Sequence, residues 1–198
     1  MKKTRDPVNQ ELIKQENKIG LQKLGLMNSN VWHQDPKRLA FTLARYKFVS
    51  KMLDGQKDVA EIGCGDGFCA RIVKQTVENL LITDYDPYFI ERFEEIHSES
   101  WPIEAKAHDI LQIPLDKKYD AIYSLDVLEH IPSDLEDRFM GNILKSLKKN
   151  SVLIIGIPSC PAFFIFACPA FSPHIKISVF EETEFCTLAP SSSASFLI

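Results

Sequence analysis

The sequence predicts an α/β fold, a doubly wound and mostly parallel sheet with helices on both faces. Three observations carry this. Short apolar runs alternate with amphipathic helical patterns of about three turns, which implies βαβ units. The first such run, 59–62, passes into a glycine-rich turn at 63–67 and at once into a helical pattern. Acidic residues stand where each of the first four strands ends: Glu61 to Gly67, Asp84, Asp109, and Asp126 to His130. In open α/β sheets ligands bind outside the carboxyl ends of the strands, so these positions should converge on one edge.

The 198 residues suit one domain with a sizeable core, and 45% hydrophobic and 25% charged residues are ordinary for a globular chain. A net charge of −4 provides no global field for nucleic acid, and no nucleic-acid partner is expected. Residues 1–6 lack the apolar run of a signal peptide, so a cytoplasmic setting is expected. The five cysteines, Cys64, Cys69, Cys160, Cys168 and Cys186, form no CxxC pair. They read as small buried hydrophobes, and no metal site is expected.

In chain order, residues 1–34 are polar and read as an N-terminal arm or surface helix, broken at Asn28, Ser29 and Asn30. Asp35 and Pro36 are an N-cap and a first helical residue. The helix they open carries Leu39, Leu43, Tyr46, Val49 and Leu53 on one side, with Gly55 suited to end it. Arg45 and Lys47 lie near its polar edge. They read either as a solvated face or as one cation that meets the carboxylate of a bound ligand.

Strands are expected at 58–62, 80–83, 101–107, 119–125 and 152–157. The intervening helices are expected at 68–77, from Asp86 and Pro87 onward with Phe89, Ile90, Phe93 and Ile96 buried, and after a capping box of Ser133 and Glu136. This last helix presents Leu135, Phe139, Ile143, Leu144 and Leu147, and ends in Lys148, Lys149 and Asn150.

The segment 151–173 has no charge, but Pro158, Pro161 and Pro169 oppose a spanning helix, since each interior proline costs about 3 kcal/mol. No membrane insertion is expected, and 152–157 reads as a buried parallel strand. Residues 160–198 form an atypical C-terminal segment with strands at 163–168 and 175–180 and a flexible tail over 190–195. The C-terminal strands are thus expected to be divergent or incomplete.

The glycines at 63, 65 and 67 miss the GxGxxG spacing of a dinucleotide fingerprint, because position 68 is phenylalanine. Asp66 inside the turn would repel a pyrophosphate and suits a cationic ligand. Glu61, Ile62, Gly63, Cys64, Gly65, Asp66 and Gly67 together resemble the first motif of the class I, Rossmann-like S-adenosylmethionine-dependent methyltransferases. The likeness continues at Asp84, seventeen residues past Gly67, at Asp109 with Ile110, at 125–130, and at 146–150. It covers about 36–159, and 35–159 is taken as the cofactor-binding domain.

The resemblance implies S-adenosyl-L-methionine as cofactor. Asp84 would accept from two ribose hydroxyls, Asp109 from the adenine amine, and the Ile110 N–H would donate to a ring nitrogen. Tyr85 would lie against the adenine. Gly63, Gly65 and Gly67 would bring backbone close to the amino-acid end, with Leu125, Asp126 and Arg45 beside it. Glu61 and Asp66 would add negative charge near the ammonium and sulfonium, or Glu61 would tie the turn. His130 is the candidate base for a hydroxyl or protonated amine acceptor, against a purely structural reading as a loop cap. The implied activity is methyl transfer to an oxygen or nitrogen of a small molecule. Two alternatives stand beside it: a cofactor-binding but catalytically incomplete protein, and a nicotinamide-dependent oxidoreductase.

Overall fold

The computed structural model describes residues 4–157 and the backbone of 176–180. The elements are α1 (Gln10–Ile19), α2 (Leu26–Gln34), α3 (Pro36–Met52), β1 (Asp58–Ile62), α4 (Ala70–Lys74), β2 (Asn79–Asp84), α5 (Pro87–Glu94), β3 (Glu104–Ala107), β4 (Tyr119–Leu125), α6 (Glu136–Lys145), β5 (Leu147–Gly156) and β6 (Lys176–Phe180). The sheet order is β3-β2-β1-β4-β5-β6, and every neighbouring pair is parallel. The chain reverses its winding between β1 and β4, which opens a crevice at their carboxyl ends.

Strand periodicity divides the core into two layers. Val59, Leu80, Ile82, Ala121, Tyr123 and Ile154 face α3, α4 and α5, where they meet Tyr46, Val49, Val73 and Phe93. Ala60, Ile62, Leu81, Ile122, Leu153 and Ile155 face the other way, onto Phe139 and Ile143 of α6. Both faces are covered, which is why β1, β2 and β4 are nearly continuous apolar runs.

Several local expectations are met. Asp35 caps α3 by accepting from the Lys37 N–H at 3.2 Å, and Asp86 caps α5 by accepting from Tyr88 N–H at 2.9 Å. Others are corrected. The 68–77 helix shrinks to the single turn of α4. The Ser133 capping box does not form, because α6 starts at Glu136 with Leu135 as its cap residue. Leu147 and Lys148 belong to β5 rather than to the end of α6, and Lys148 bridges Asp58 and Asp120 at 2.9 and 3.0 Å. The third strand is only β3, and Phe89 and Ile90 are half-buried. Asn28, Ser29 and Asn30 do not break a helix, since they lie inside α2. Of the two C-terminal strands, the second forms β6, parallel to β5. The first, at 163–168, and the 190–195 tail lie outside the described residues.

Candidate active site

Two clefts meet at the carboxyl edge of the sheet. The first, about 380 Å³, is lined by Ile62, Asp84, Tyr85, Phe89, His108, Asp109, Ile110 and Val127. The second, about 360 Å³, lies beneath α2 and α3 and is lined by Val31, Arg38, Thr42, Arg45, Phe68, Leu125 and Glu129. Met27, Gly63, Gly65, Asp126 and His130 border both.

The first cleft brings together the residues expected from the ends of β2 and β3. Asp84, nearly buried, accepts from the N–H of Gly65 at 2.9 Å through one oxygen and of Asp86 at 3.0 Å through the other. Burial raises its pKa against those hydrogen bonds. Each oxygen keeps one lone pair for a further donor. Asp109 accepts from Leu111 N–H at 2.9 Å through one oxygen only. The backbone of Ile110 is fixed by Asn142, whose amide donates to its carbonyl at 2.8 Å. Tyr85 is 77% exposed, so its ring is a free face at the cleft mouth.

The glycine turn is not a nest of free N–H groups. Gly63 and Cys64 both donate to the Thr83 carbonyl, Gly65 to Asp84, Gly67 to the Cys64 carbonyl and Phe68 to Asp66. The glycines serve close packing instead. A Cβ at Gly63 would fall 2.3 Å from Val127 Cγ2, and one at Gly67 would fall 2.6 Å from the Phe93 ring. Both have positive φ, 76° and 65°, which a side chain would strain. Cys64 and Cys69 are buried, and burial pushes both thiols up.

Three charged residues expected at the amino-acid end of a cofactor are engaged elsewhere. Glu61 points away from both clefts into the core, where Tyr46 Oη donates to Oε1 at 2.5 Å and Tyr123 Oη to Oε2 at 2.7 Å. Burial lifts its pKa to about 7, although the two tyrosine hydroxyls pull it down. Strand alternation explains the direction, because Glu61 shares the face of Val59. Asp66 turns to α2, accepting from Met27 N–H at 2.7 Å and from the Asn28 amide at 3.1 Å. Arg45 forks onto Asp126, with both contacts at 2.5 Å. Asp126 sits at φ 57°, and the fork fixes the loop that follows β4. The Arg45 Nε is buried with no hydrogen-bond partner among the described residues. His130 closes the 3-10 turn Leu128–His130 and is exposed to both clefts.

Residues 60–155 match the family model described as a methyltransferase domain. Over that stretch the chain carries the sequence pattern of a methyltransferase domain. A probable S-adenosylmethionine-dependent methyltransferase of Mycobacterium tuberculosis is 24% identical over 104 residues, 52% of this chain and 36% of that protein. The match spans about a third of the length of these curated relatives. Among solved structures, the N-methyltransferase NodS of Bradyrhizobium japonicum, in complex with S-adenosyl-L-homocysteine, aligns with a TM-score of 0.53 at 22% identity, over 76% of this chain and 72% of that one. A sugar N-methyltransferase of a Streptoalloteichus species aligns with a TM-score of 0.56 at 16% identity, over 73% and 59%. These likenesses establish the fold alone.

Sequence reasoning missed Met27, Asn28 and Val127. Val127 was within reach, since it follows Asp126 in the post-β4 motif. Met27 and Asn28 were not. The cap of α2 comes from Asp66, 39 and 38 positions away, and no local signal announces it.

Proposed function

We propose that the first cleft binds S-adenosylmethionine and that the protein transfers its methyl group to an oxygen or nitrogen of a small molecule presented from the second cleft. The observation that carries this reading is the convergence of Asp84, Tyr85, Asp109 and Ile110 in one cleft beside a glycine turn in which Gly63, Cys64, Gly65 and Gly67 already spend their N–H groups within the protein. Such a site offers acceptors and an aromatic face to a neutral nucleoside rather than a nest to a pyrophosphate. That also disfavours a nicotinamide dinucleotide, as does the short α4, with little dipole to offer.

The donor set fits the cofactor residue by residue. Asp84 would hold the ribose hydroxyls, Asp109 the adenine amine through its uncommitted oxygen, and the Ile110 N–H a ring nitrogen. Tyr85 and Phe89 would flank the base. The unpartnered Nε of Arg45 would meet the amino-acid carboxylate, while Asp126, Gly63 and Leu125 border the ammonium. Glu61 and Asp66 leave this assignment, since their oxygens serve the core and α2. The bound cofactor supplies an electrophilic methyl on a sulfonium. The chain then needs chiefly to hold an acceptor in line with it, and alignment of this kind is worth many powers of ten in rate. His130, at the junction of the clefts, would accept the acceptor's proton.

Isothermal titration with S-adenosylhomocysteine tests the cofactor reading. Binding should be present and should weaken about tenfold or more in Asp84→Ala, the cost of two charge-assisted hydrogen bonds. Equal affinity in that variant would sink the assignment. A second reading, a cofactor-binding but catalytically incomplete protein, is favoured by the parallel β6 and by the span of the relatives beyond this chain. It predicts the same binding without turnover of any acceptor. In the leading reading, His130→Ala lowers turnover about a hundredfold with cofactor affinity unchanged.

A further inference from the structure

Helix α2 forms the wall between the two clefts, and one carboxylate clasps its first turn. Its only buried residue is Asn28, and Leu26, Met27 and Trp32 remain 48%, 48% and 56% exposed. Apolar packing therefore contributes little to its position. Gly25, the residue before its first turn, has no side chain with which to cap it. Asp66 takes that role from across the fold. Its carboxylate, on a residue 2% exposed, accepts from the N–H of Met27 at 2.7 Å and of Asn28 at 3.4 Å, the two donors an N-cap would serve. It also accepts from the Asn28 amide at 3.1 Å and from Phe68 N–H at 3.2 Å.

Two features make the contact releasable. Residues 20–25 form no regular element and are bounded by glycines at φ 70° and 81°. A Cβ on Gly25 would stand 2.6 Å from an Asp66 oxygen, so the chain approaches the carboxylate as only glycine can. The closed wall also obstructs. Met27 borders both clefts, and its sulfur lies 2.5 Å from where a Cβ of Gly65 would sit.

We propose that Asp66 is a positioning residue: it clasps α2 over the glycine turn and so sets Met27 as a removable partition between the cofactor cleft and the acceptor cleft. A ligand as large as an adenosyl amino acid enters and leaves when the clasp opens. This rests on the cofactor reading above. Opening exchanges the three hydrogen bonds from α2 to Asp66 for water, and the sheet beneath keeps its own core, so the motion is local.

The test uses the full chain with S-adenosylhomocysteine as probe. Amide hydrogen exchange over 26–34 is compared in the wild type, Asp66→Asn and Asn28→Ala. Dissociation of the probe is followed by Trp32 fluorescence in a Trp101→Phe background. The expected result is faster exchange over 26–34 in Asp66→Asn with β1 and β4 still protected, and probe dissociation faster by about tenfold. Asn28→Ala, which removes the 3.1 Å contact to Asp66 and the weak 3.9 Å one from the Cys69 thiol but keeps both backbone donors, should fall between the two. If Asp66→Asn loses core protection, Asn28→Ala decides alone. Unchanged exchange in a folded variant overturns the clasp. Faster exchange with unchanged probe kinetics overturns the partition. A wild type that does not bind the probe overturns the cofactor reading and the gating with it, while exchange still reports on the clasp.

Discussion

Glu61→Gln isolates one buried charge. Glu61 is fully buried between Tyr46 and Tyr123, whose hydroxyls take one carboxylate oxygen each. Burial raises its pKa from 4.5 to about 7, and the nearby Asp84 and Asp66 add to the rise. The folded value lies above the unfolded one, so the proton is held more tightly in the native state. The stabilisation from this group is therefore complete below about pH 4.5 and is lost as pH rises through about 7. At about 1.4 kcal/mol for each tenfold change in proton affinity, the loss amounts to about 3 kcal/mol. Glutamine keeps the shape of the neutral acid, accepting from one tyrosine and donating to the other, and cannot ionise. Urea midpoints measured from about pH 5 to about pH 8.5 should fall more steeply for the wild type than for Glu61→Gln. Between these pH values the gap should open by about 2.5 kcal/mol, since the first part of the loss precedes pH 5, with contributions from Asp58, Asp84 and Glu129 largely cancelling in the difference. Parallel pH profiles for the two proteins would refute the reasoning.

Phe139→Ala, at a fully buried position on the sheet-facing side of α6, should cost about 3–5 kcal/mol in denaturant titration. Gly63→Ala should lower stability by about 1–3 kcal/mol through its φ of 76° and its clash with Val127, and Val127→Ala in the same chain should recover only the clash. Arg45→Lys keeps the charge but loses the fork onto Asp126. It should cost about 1–2 kcal/mol of stability in the same titration.

The strands and their order of polar endings were legible because a buried parallel sheet needs apolar runs, and because two caps, Asp35 and Asp86, announce their helices locally. The Ser133 box failed although its residues fit the pattern: Leu135 takes the cap position, and α6 starts two residues later than the local signal would have it. Lys148 likewise reads as a basic helix end, but Asp58 and Asp120 draw it into β5. Both cases show a local preference of a few tenths to about 1 kcal/mol overruled by tertiary contacts of similar or larger size.

The candidate site divides the same way. Asp84, Asp109 and Ile110 were readable from sequence because each follows a strand, and the sheet carries all strand ends to one edge. The fate of the other charges depends on partners far away in the chain. Strand alternation buries Glu61, and only the packing of α3 and β4 supplies it with Tyr46 and Tyr123. Arg45 meets Asp126 across 81 positions. Asp66, which in the sequence reads as a charge for the cofactor, spends its oxygens on the end of α2. By itself the sequence determined the parallel sheet, the glycine turn and the row of acidic strand ends, since these follow from local periodicity and backbone sterics. Only the tertiary structure decided which acids face the cleft, because a buried carboxylate goes to whichever donors the packing brings within hydrogen-bond reach.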